Sequence, residues 1–84
     1  MKKFVGPYTQ TKLVDDLIAF ERKVFNSKNS FIVWEQHRLW HATTMYNSSF
    51  ETKEAAMEAL DTTIVERGYT ILTQDQCDKY SILL

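Results

Sequence analysis

From residue 9 to residue 26 apolar side chains recur at helical spacing. Leu13, Leu17, Phe20 and Val24 stand at i, i+4, i+7 and i+11, which stacks them on one stripe. Val14, Ile18 and Phe25 make a second stripe beside it, and Lys12, Asp15, Asp16, Ala19, Arg22, Lys23 and Asn26 fall opposite. The spacing predicts an amphipathic helix over residues 9–26, capped by Thr9 or Thr11. Glu21 lies between the two apolar stripes. It is either a boundary carboxylate that reaches water or a partly buried acid paired with Arg38 or a histidine, because an unpaired buried charge is costly.

The pattern then changes period. Residues 31–34 and 39–46 are rich in aromatic, β-branched and alternating positions, and predict two strands joined at Gln36, His37 and Arg38. With a three-residue loop, Ile32, Trp34, Trp40, Ala42, Thr44 and Tyr46 share one face. Phe31, Val33, Leu39, His41, Thr43 and Met45 share the other. A slip of one residue in the pairing regroups both sets.

A second helix starts after Thr52, its predicted N-cap, with Glu54 in the first turn and Ala56, Met57, Leu60 and Ile64 as its buried stripe. Gly68 suits the left-handed stop. Residues 69–72 read as a strand. Thr73-Gln74-Asp75-Gln76 fits a capping box for one short helical turn, followed by an apolar tail at residues 80–84. Residues 2–5 supply a short first strand closed by Gly6-Pro7. The order is therefore β-α-β-β-α-β plus a C-terminal extension. It predicts one α+β domain over residues 1–84: a two-layer, ferredoxin-like split β-α-β sandwich with both helices on one face of an antiparallel sheet. If the first strand fails to form, a homodimer becomes the natural way to complete the sheet.

Composition narrows the function classes. An 84-residue chain buries roughly 60% of its unfolded surface, so it holds one modest core. The hydrophobic content of 44% and aromatic content of 13% are too high for a disordered chain. The single cysteine, Cys77, needs no oxidising compartment. Without an apolar run of leader or membrane-span length, the expectation is a cytosolic protein with no membrane contact. The net charge of −1 argues against a general nucleic-acid binder, although the halves differ. Residues 1–42 carry seven Lys/Arg against four Asp/Glu, and residues 43–84 carry three against seven.

Candidate chemistry concentrates in the hairpin. Trp34, Trp40 and Tyr46 on an open sheet face, with Arg38 at the rim and His41 near, would form a platform for bases or a set of anchors in a protein interface. The bland alternative buries one or both indoles in the core. The third strand, RLWHATTMY, lacks the basic-Gly-aromatic run of the RNA-recognition module. The double-stranded-RNA module needs three strands between its helices, and only about twenty residues separate them here.

His37 and His41 would share a helical face, but in a strand they stand ~13 Å apart, too far to share an ion. No metal or cofactor is expected. A metal-independent RNase using the two histidines with Arg38 is the weakest reading. Cys77 lies beside Asp75 and Asp78, which oppose thiolate formation.

Glu51, Glu54, Glu58 and Asp61 form a single-sign stripe, with no lysine four residues from the helical ones. Such a stripe is either a solvated face or a docking surface for a basic partner. The leading expectation is a small non-enzymatic module that docks on a macromolecule, most simply a protein, and modulates or inhibits it; phage-encoded regulators are one such group. RNA or single-stranded nucleic-acid binding through Trp34, Arg38, Trp40, His41 and Tyr46 is the alternative.

Overall fold

The computed structural model describes residues 3–24, 30–43 and 48–79. Its strands are β1 (Lys3–Val14), β2 (Leu17–Val24), β3 (Ser30–Gln36), β4 (Leu39–Ala42) and β5 (Tyr69–Ile71); its helices are α1 (Lys53–Glu66) and α2 (Gln74–Lys79). One mixed sheet has the order β4-β3-β2-β1-β5, antiparallel throughout except that β5 runs parallel to β1. The chain thus builds four strands as a meander, crosses the sheet through α1, and adds the last strand at the far edge. This is not the ferredoxin-like sandwich that the sequence pattern predicts.

The difference lies in residues 9–24. In place of a helix they complete β1 and form β2, joined at Asp15 and Asp16, with Asp15 in the left-handed region at φ 52°. Leu13, Val14, Leu17 and Ile18 satisfy two geometries at once. Their i, i+4 spacing stacks them on a helix, but the same spacing also flanks a two-residue turn. There Val14 faces Leu17 and Leu13 faces Ile18. The short first strand is in turn only the beginning of β1. That strand runs on through Gly6 and Pro7, with register shifts between Val5 and Tyr8 and again between Tyr8 and Gln10. Such bulges bend a strand and raise its twist, which curls the sheet.

The second half follows its sequence signals more closely. Thr52 caps α1, its hydroxyl accepting from the Ala55 amide at 3.2 Å. Gly68 ends the helix at φ 90°. The capping box of α2 is formed in both directions: Gln76 N donates to Thr73 Oγ1 (3.2 Å), and Thr73 N donates to Gln76 Oε1 (2.9 Å). Ala56, Leu60 and Ile64 are fully buried, and α1 lays them across β3, β4 and β5. With Val5, Val24, Phe31, Val33 and Ala42 they make the core.

Opposite the core the sheet is held by polar contacts. Lys12 Nζ lies 2.8 Å from Glu21 Oε2, and Ser30 Oγ donates to Glu21 Oε1 at 2.7 Å. Glu21 is buried and paired, with Lys12 in place of Arg38 or a histidine. The hydrogen bonds from Lys12 and Ser30 hold its carboxyl below the ordinary value of 4.5. A lowered folded-state pKa contributes stability above pH 4.5 that is lost as pH falls through the folded value. Glu21→Gln is therefore expected to be less stable than wild type at pH 7 and to close that gap on acidification below pH 4.5, as read by denaturant midpoints across that range.

Candidate functional site

The turn between β3 and β4 decides where the hairpin aromatics go. It contains two residues, His37 and Arg38, both left-handed at φ 54° and 65°. That is the geometry of a tight hairpin turn, which Asn-Gly adopts with little strain and which His-Arg adopts at a cost of roughly 1–2 kcal/mol per residue. Gln36 then pairs with Leu39, Glu35 with Trp40, Trp34 with His41 and Val33 with Ala42. One residue fewer in the loop regroups the faces, so the two indoles part. Trp40 turns to the core side, 5.9 Å from Phe20, with its backbone bridged to Phe50. Trp34 stays on the opposite face, where His41 stacks on it at 5.5 Å and 24°. Tyr46 lies outside the described residues.

Of the expected hairpin set, Trp34 and His41 come together, Arg38 stands exposed in the adjoining turn, and Trp40 is on the other side of the sheet. α1 packs against the Val33 and Ala42 side of these strands, and Trp34 and His41 stand half-buried on the other side.

The acidic stripe also divides. Glu51 is exposed ahead of α1, and Glu54 and Glu58 are exposed on it. Asp61 bends inward: its Oδ2 accepts from Arg22 Nη2 at 3.0 Å and its Oδ1 from the Tyr8 hydroxyl at 3.4 Å. Arg22 rises from β2 beneath α1, stacks over the Tyr8 ring at 4.3 Å, and donates through Nη1 to the Gly6 carbonyl at the bulge. Its Nε is buried without a partner among the described residues. Burial pushes the Asp61 carboxyl above its ordinary value, and the Arg22 guanidinium only partly opposes this. The Tyr8 phenol is raised by burial and then by Asp61, and stays protonated. Asp61 is therefore a structural partner first and a surface charge second.

On the outer side of α1, Met57, Val65 and Ile71 floor an open groove of about 610 Å³ rimmed by Glu54, Glu58 and Glu66. Val65 is 56% exposed. Among the described residues none of these three glutamates makes an ion pair. The sequence pattern marked Glu54 and Glu58 but missed Val65, Glu66 and Ile71. Val65 could have been found as an apolar residue seven positions after Glu58, on the polar side of the buried stripe.

Cys77 is fully buried, and burial raises its thiol, with Asp78 adding to the shift. That leaves it unsuited to nucleophilic attack. Among the described residues no three His, Cys, Asp or Glu side chains converge as a metal site. No helix among them is long and apolar enough to cross a membrane. Comparison with protein families, curated proteins and solved structures finds no match, so function must be argued from this chain's own residues.

Proposed function

We propose that this chain is a small non-enzymatic binding module that docks on a protein partner and modulates it. Its groove along α1 receives a segment of that partner that is both apolar and basic. The observation behind this reading is an apolar floor, with Val65 exposed and Met57 and Ile71 half-buried, ringed by carboxylates that make no ion pair among the described residues. Met57, Val65 and Ile71 gain by losing water, at about 25 cal/mol per Å² of apolar surface. Glu54, Glu58 and Glu66 favour Lys or Arg at the rim and disfavour acidic competitors.

The test is affinity capture from nuclease-treated lysate, followed by titration of the captured protein. Glu54→Lys with Glu58→Lys is expected to weaken that complex at least about tenfold and to make its association less salt-sensitive. Val65→Asp is expected to weaken it without changing the salt slope. A partner that binds both variants as tightly as wild type sinks the groove reading.

One observation favours a second reading, binding of RNA or single-stranded nucleic acid. Trp34 stands half-buried on the sheet face opposite the core, stacked by His41, and the strained turn beside it carries His37 and Arg38. Each stacked base is worth ~1–3 kcal/mol, and the departure of Trp40 leaves one indole there rather than two. If capture depends on nucleic acid, is lost with Trp34→Ala and Arg38→Ala, and is indifferent to Glu54→Lys, this second reading replaces the first.

A further inference from the structure

We propose that the free edge of β1 pairs with the same edge of a second copy, joining two sheets across a two-fold axis. β5 covers β1 only at Lys3, Phe4 and Val5. Among the described residues nothing pairs with that edge farther along, and every residue from Thr9 to Val14 is exposed. The two-residue turn makes Val14 and Leu17 a hydrogen-bonded pair, so the alternation along the ladder turns the N–H and C=O groups of Leu13 and Thr11 outward.

Exposed edges are normally guarded by charge, proline or a bulge. Here the outer half of the edge carries Thr, Gln, Leu and Val, and its one cation, Lys12, is engaged by Glu21 across the strand. Pro7 and the first register shift lie toward β5, and the second shift falls at Thr9, which leaves Gln10 to Val14 as the regular part of the edge. The hairpin tip is apolar on both of its sides. Leu13 is 75% exposed and Val14 52%, and Ile18 is also exposed, which is unusual for a hairpin end in water.

A second copy fits this edge for reasons of register and charge. An antiparallel edge pair is self-complementary about a two-fold axis. With the axis at Thr11, each Leu13 faces the other copy's Thr9, and each Lys12 faces the other copy's Gln10. No like charges stand opposite each other, whereas an axis at Lys12 would oppose two lysines. The same register sets each Val14 opposite the other copy's Tyr8. It also lays the apolar tips alongside protein instead of water. The groove on α1 is a separate surface and takes no part in this pairing.

The test is light scattering coupled to size exclusion, with amide exchange read at Thr11 and Leu13. Wild type is expected at twice the chain mass of 9.9 kDa, with those two amides protected more strongly as concentration rises. Thr11→Pro removes an outward N–H that no internal ladder bond uses, a position an edge strand tolerates, and is expected to run at single-chain mass with an unchanged circular-dichroism spectrum. Should that variant not fold, Leu13→Lys at an exposed position carries the same expectation. Glu54→Lys is expected to leave the doubled mass untouched. Wild type at single-chain mass at about 0.1 mM overturns the proposal. So does a dimer that survives Leu13→Lys, or one lost with Glu54→Lys.

Discussion

Leu60→Ala is expected to lower the unfolding free energy by about 3 kcal/mol, within the range measured for truncating buried leucines. Leu60 is fully buried at the centre of the stripe that α1 presents to the sheet, between Ala56 and Ile64. Its loss removes transfer free energy and leaves a void in a close-packed core, which relaxes only in part. The chain's total stability should be of order 4–12 kcal/mol, so the change consumes a large share of it. Urea denaturation followed by tryptophan fluorescence gives the measurement. Val65→Ala on the same helix is the control: with its side chain mostly in water, it is expected to change stability by no more than about 0.5 kcal/mol. Equal losses for the two variants would mean that α1 does not bury the stripe described here.

That stripe was readable from sequence because its start, its period and its stop agree. Thr52 opens the helix, alanine, methionine and leucine favour it from Ala55 to Leu60, and Gly68 ends it after the β-branched run of Thr62 to Val65. Residues 9–24 offer no such agreement. Thr9, Thr11, Val14, Ile18 and Val24 are β-branched, yet the i, i+4 recurrence of leucine outweighed them in a periodicity count. Asp15-Asp16 was the overlooked signal, since aspartate accepts a left-handed backbone and breaks the run at the hairpin's midpoint. Once the segment is a ribbon, its buried polar residues also make sense. Arg22 lies two positions from both Phe20 and Val24 and so shares their side of the strand, whereas helical counting had put it on the solvated face.

The candidate site was legible where it depends on charge and illegible where it depends on register. Glu54 and Glu58 stand out in any count of unpaired acids, and the helix places them together. The separation of Trp34 from Trp40 hangs on one residue of turn length. Sequence favours no choice there, because His37-Arg38 is a poor match to the turn it adopts. Asp61 looked like one more member of the acidic stripe. Only the long-range neighbours Arg22 and Tyr8, 39 and 53 residues away, draw it inward.

Those neighbours set up the second large effect. Arg22→Met is expected to cost about 3 kcal/mol, the low end for breaking a buried ion pair, because Asp61 keeps some contact with water. The loss comes less from the attraction removed than from what is stranded. The Gly6 carbonyl loses its donor, and the Asp61 carboxylate is left in a site whose burial already disfavours its charge. Two further measurements separate this cause from simple loss of packing. Adding Asp61→Leu to Arg22→Met is expected to recover at least about half of the loss, since an apolar pair of similar volume removes the stranded charge. Acidification should also narrow the deficit of Arg22→Met alone. A carboxyl whose folded-state pKa is raised contributes stability that is present below its unfolded value of 3.8 and lost as pH rises through the folded one. Without the guanidinium that value climbs further, so protonation relieves the variant at a milder pH than it would wild type. If the double variant is no better than the single one and the deficit is flat with pH, Arg22 acts by filling space beneath α1 and not by compensating Asp61.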